Sequence, residues 1–172
     1  MRRGSMDRKV FIIVGTLLLI VLYLSVSCQN RTNKEELYGM RVGEFSDVIL
    51  VQSSACLNQS KAYSAVWEYA KVTGEDFNSA ARHILGPERA EAAGRFAQNK
   101  MMIADYLEKV KNPPEKYKSS YEKLIEMHEL YIRLNDLVLK PIAPQEEYDA
   151  SVNKLYDGLL KKAGEINALL GR

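Results

Sequence analysis

Cysteine and histidine are scarce in this chain: two of each among 172 residues, Cys28 and Cys56, His83 and His128. No CxxC or CxxCH occurs, which removes the usual spacing of structural zinc, dithiol redox and attached haem. Neither histidine completes the Glu-x-x-His pair of a di-iron bundle, because Ala80 and Ile125 stand three residues before them. The ten glycines are scattered, so a P-loop or dinucleotide turn has no sequence to form from. A nucleophile elbow is missing as well. The net charge is only +2 and sits unevenly: Arg2, Arg3, Arg8 and Lys9 precede Val10, against one acid, Asp7. The remaining body is within one charge of neutrality and has no electrostatic footprint for nucleic acid. These absences point away from an enzyme, a metal centre, a cofactor or a nucleic-acid partner.

What is present is ordinary globular composition, 47% hydrophobic and 27% charged, which supports one packed domain after a leader. Residues Val10 to Val26 form an uncharged apolar run. As a helix it would measure ~25 Å, a little short of the roughly 30 Å hydrocarbon core. Basic residues lie before the run, while Arg31 and Lys34 after it are offset by Glu35 and Glu36. The positive-inside rule then places the N-terminus in the cytoplasm and the body outside. A basic segment, an apolar segment and small residues at the end are also the parts of a secretory signal.

The run ends in Ser25-Val26-Ser27-Cys28, which resembles the lipobox of bacterial lipoproteins. Ser27 supplies the small residue before the cysteine, and Leu24 lies one place earlier than the usual leucine. The resemblance covers the leader alone. It implies that Cys28 carries a diacylglycerol and becomes the first mature residue, on the periplasmic or cell-surface side of a membrane. An uncleaved single-pass anchor and a simple cleaved signal are the alternatives. The expected division is a leader over 1–27, a linker over 28–33 and a helical domain over 34–172.

Helical periodicity takes over beyond the linker. Tyr38, Val42, Phe45, Ile49, Gln52, Cys56, Gln59, Tyr63, Val66 and Ala70 alternate in steps of four and three, the heptad seam of a long, coiled-coil-like helix. Gly74 is a C-terminal cap and Asp76 an N-cap. Gly86-Pro87 interrupts the second helix, whose following part is rich in alanine. Asn112-Pro113-Pro114 ends it. A third stripe runs through Tyr117, Tyr121, Leu124, Ile125, Tyr131, Leu134 and Val138. A fourth, after Pro141 and Pro144, holds Tyr148, Val152, Leu155, Leu159, Ile166 and Leu169. Four long helices with short connections predict an all-α, antiparallel up-down-up-down four-helix bundle with a long first helix.

Folding the chain at Gly74, Pro113 and Ile142 matches residues by height. Gln52 then falls near Ala97, Gln98, His128 and Tyr156, and Gln59 near Ala90 and Asn135. Such polar layers fix register when they bond one another. Small residues beside them would leave space for a ligand, with Gln52, Gln59, His128 and Asn135 as its contacts. The expected function is a membrane-anchored, extracytoplasmic, non-enzymatic binding or scaffold component with an envelope protein as partner. The alternative is a sensory or small-molecule-binding bundle acting through a partner.

Overall fold

The computed structural model describes the backbone of residues 4–141 and 144–172, and the side chains of 33–141 and 144–172. The side chains of the leader, Cys28 among them, and the turn residues Ile142 and Ala143 lie outside the described residues. The described residues form four α-helices, α1 (Gly4–Thr73), α2 (Phe77–Lys109), α3 (Lys118–Leu139) and α4 (Gln145–Leu170), with a 3-10 turn at Glu115–Tyr117 before α3. Two compact units divide it, Met1–Tyr38 and Gly39–Arg172. The second is an all-α four-helix bundle without strands among the described residues.

Local chemistry sets the helix ends. Gly74 adopts φ +71°, the left-handed cap that stops α1. Asp76 then starts α2: its carboxylate accepts the backbone N–H of Asn78 at 2.9 Å and of Ser79 at 3.2 Å, two of the donors that a helix start leaves open. A hydrogen bond from the Ser79 side chain, followed by the backbone bonds from Ser79 and Asn78, holds the Asp76 carboxyl below its ordinary range. Inside α2 the backbone breaks at Gly86, φ 38° and ψ −125°, immediately before Pro87. Asn112 at φ 68° turns the chain into α3, and asparagine tolerates that region.

The interior of α1 corrects the expected seam. One row is as anticipated: Val42, Ile49, Cys56, Tyr63 and Ala70 are all buried. The other row is Gly39, Ser46, Ser53, Ser60 and Trp67, every one buried; of the row expected beside it, Phe45 and Val66 are buried, while Tyr38, Gln52 and Gln59 sit half-buried on the flank. The two rows are spaced three and four apart, so the heptad is real but lies one position over from the glutamines. Small residues there let neighbouring elements come close. A Cβ on Gly39 would meet the Tyr117 ring at 2.8 Å. Two of the buried hydroxyls have partners: Ser53 Oγ donates to the Ile49 carbonyl one turn away at 2.7 Å, and Ser46 Oγ donates across to Met127 Sδ at 3.4 Å. Without such partners their burial would cost stability.

Contacts along α1 give the directions of the other helices. Phe45 stacks on Tyr106 and Trp67 on Phe77, so α2 runs back down. Ser46 touches Met127, and the Gly39 backbone lies against Tyr117, so α3 runs parallel to α1. Ser54 meets Tyr156 at 3.1 Å and Ser64 donates to Asp149 at 2.7 Å, whereas Arg172 pairs with Asp47. The fourth helix is therefore antiparallel to α1. Tyr131, Tyr148, Phe45, Ile49, Met127, Leu134 and Leu159 fill the centre with side chains that are fully buried. The apolar stripes of α3 and α4 face it, except that Leu169 is exposed and Tyr121 and Ile125 are half-buried.

Candidate functional site

The core is filled by its own side chains, and space opens instead at the surface between α1 and α2. Two compartments follow one another along that cleft. The first, about 620 Å³, is walled by Phe45, Val48, Tyr106 and Val110, with Arg41, Glu44 and Lys109 around it. The second, about 410 Å³, is lined by Gln52, Ala55, Asn58, Gln59, Arg95, Phe96 and Asn99. Both volumes fall within the range of small-molecule sites. Between them the Asn99 amide donates to Gln52 Oε1, a bar across the cleft.

The cleft exists because α2 has little with which to close it. Of its buried residues, Ala80, Ala81 and Ala92 are alanines, and Phe96 and Ile103 are the large ones. The break at Gly86 also lets the part after Pro87 leave the line of the first part. Phe96 inserts toward the core and forms the floor of the second compartment. Tyr106, further along α2, lies stacked over Phe45 with ring centroids 5.7 Å apart.

Of the four residues expected at a ligand site, Gln52 and Gln59 line the same compartment. Asn135 lies beneath it, buried: its amide donates to the Phe96 carbonyl at 3.3 Å and to Tyr131 Oη at 3.2 Å. It thus shares Phe96 with the compartment without lining it, and its Oδ1 has no partner among the described residues. Ala90, expected at its level, is exposed. His128 is outside the cleft. Its Nε2 is buried without a partner among the described residues, and burial, assisted by the charge of Lys100 against that of Glu129, moves its pKa below the ordinary histidine value. A neutral imidazole is therefore the state favoured at neutral pH.

Asn99, Asn58 and Arg95, together with the whole first compartment, were not singled out from sequence. Asn99 differs by one residue from the Gln98 expected opposite Gln52, and a carboxamide facing a carboxamide is the signal that identifies it. Arg95 is not a bare cation, since it pairs with Glu91 one turn away. Lys109 lies over the Tyr106 ring at 4.8 Å, a cation–π contact. Arg41 and Glu44 make no ion pair among the described residues.

Cys56 is buried next to Asn135, and its thiol is pushed up to about 12 by burial, with its own backbone and Asn135 opposing. A thiol so placed is a weak nucleophile. Among the described residues no group of three His, Cys, Asp or Glu is placed to hold a metal ion, and no helix is long and apolar enough to cross a membrane. The arrangement can offer carboxamide hydrogen bonds and an aromatic floor in one compartment, and apolar walls near two cations in the other. No family model, no curated protein and no solved structure matches this chain.

Proposed function

We propose that this protein is a lipid-anchored helical bundle on the extracytoplasmic face of a membrane, a non-enzymatic binding or scaffold component of the cell envelope. One observation carries the reading: the uncharged run Val10 to Val26, with basic residues on its N-terminal side, leads directly into Ser25-Val26-Ser27-Cys28. A near-neutral body gains little from anionic headgroups, so retention depends on the anchor. Two acyl chains on Cys28 would hold it stably, where one chain binds only marginally. Intact mass of the membrane-extracted protein tests this. A species beginning at Cys28 and carrying diacylglycerol is expected, and Cys28→Ala should block that maturation. Retention of residues 1–27 in the native protein would replace the lipid by an uncleaved anchor. Recovery from the cytosol with the leader intact would end the reading altogether.

A second reading, a ligand-binding bundle that acts through a partner, is favoured by the compartment that Gln52 and Gln59 share. Carboxamides on both helices suit a neutral polar ligand, since each offers a donor and an acceptor. A thermal-shift screen of polar metabolites tests it: a hit should be lost in Gln59→Leu, and silence across the screen would leave the scaffold reading alone.

A further inference from the structure

We infer that the first compartment of the α1–α2 cleft binds an amphiphile with one apolar tail and one anionic head, of which a fatty-acid carboxylate is the simplest case. The assignment does not depend on how the protein is anchored.

Charged and apolar groups are ordered along the cleft. Arg41 and Lys109 both lie at one end of it, and Phe45, Val48 and Tyr106 form its walls. From Arg41 to Val48 the α1 axis advances ~10 Å, so the compartment holds the head and the adjoining part of a tail laid along the helix. The exposed Tyr106 and the half-buried Val48 gain stability when covered. Two cations against the single carboxylate of Glu44 leave the mouth positive. Arginine can grip a carboxylate or phosphate with two parallel hydrogen bonds. Arg41 makes no ion pair among the described residues, so binding an anion breaks none. An uncharged apolar ligand would leave that end unused, and a polar one would waste the walls.

Carboxylate and lipid phosphate share this chemistry, and competition separates them. The full chain in phosphatidylcholine nanodiscs is photolysed with a diazirine-bearing palmitate, and adducts are mapped by mass spectrometry. Adducts are expected at residues 41–48 and 106–110, displaced by excess palmitate. In the Arg41→Gln/Lys109→Gln double variant they should fall roughly tenfold, as for a lost charge-assisted contact. Val48→Trp, at a half-buried wall position, should abolish them by filling the space. Circular dichroism and melting confirm that each variant is folded, and the double variant alone suffices if the tryptophan is not tolerated. Competition by palmitate and not by phosphatidylglycerol is expected, and the two-tailed phosphatidylglycerol competing as strongly as palmitate would overturn the single-tailed assignment. Adducts confined to residues 10–26, or methyl palmitate competing as well as palmitate, would overturn the assignment.

Discussion

The α3–α4 pair and the second helix are built from the same chain by opposite means. Along α3, Leu124, Met127, Tyr131, Leu134 and Val138 point into the core, and α4 answers with Tyr148, Val152, Leu155, Leu159 and Ile166. A charge network crosses their outer edge, with Lys162 between Glu126 at 2.6 Å and Glu165 at 2.9 Å, and Lys123 bridging the same two acids. The second helix, by contrast, is longer yet breaks at Gly86 and buries mostly alanine. Stability is concentrated in one half of the bundle and open surface in the other. Binding surfaces commonly lie on the less stable elements of a fold.

The sharpest way to break this contrast is to empty the stable half. Leu134→Ala and Leu159→Ala should each cost about 2–5 kcal/mol, read as a lowered urea midpoint. Hydrogen exchange should show amides of 87–109 opening before those of 118–139; equal protection would erase the difference between the halves. In the open half, Gly86→Ala forces a side chain into an unfavourable conformation, at about 1–3 kcal/mol, although nothing crowds the site. Asp76→Ala removes the cap and should cost about 1 kcal/mol, most visible as faster exchange at Asn78 and Ser79.

A smaller effect comes from pH. Hydrogen bonds from Lys123 and Lys162 lower the Glu126 carboxyl to about 2. A depressed carboxylate favours the fold above its unfolded value of 4.5 and loses that contribution as pH falls towards 2. The melting temperature should therefore drop across that window, less steeply in Glu126→Gln and in high salt, which screens exposed pairs. An unchanged slope in the variant would remove Glu126 from the account. Smallest in energy but easy to read is Cys56: alkylation at pH 8 should follow unfolding, with the native thiol protected by burial.

The end of α1 and both ends of α2 were legible because they depend on a few residues acting locally. Gly74, Asp76, Gly86-Pro87 and Asn112-Pro113-Pro114 each do in the fold what their backbone chemistry dictates. The apolar stripes of α3 and α4 were legible for the same reason, as leucine and tyrosine at helical spacing have few other uses. The inner row of α1 was not. Serine is polar, so a seam traced by hydropathy passes over Ser46, Ser53 and Ser60 and settles on Gln52 and Gln59 beside them. Height matching placed Gln52 within one residue of its partner Asn99, yet set Asn135 against Ala90 instead of Phe96. Unwound residues around Asn112 and a 3-10 turn, which rises faster per residue than an α-helix, shift that match. The cleft itself depends on how far apart α1 and α2 stand, and the sequence of either helix alone does not contain that distance.

The run of glycine and serine down the middle of α1 gives that helix an inverted tolerance. Interiors usually suffer most when atoms are removed; here the harm comes from adding them, because each extra methylene must displace packed neighbours such as the Tyr117 ring and Met127. A saturation library at positions 46, 53 and 60 should accept alanine where it rejects leucine, and at position 39 alanine itself should cost stability, because its Cβ would press on the Tyr117 ring. The slimmest residues of the chain would then prove the hardest to enlarge.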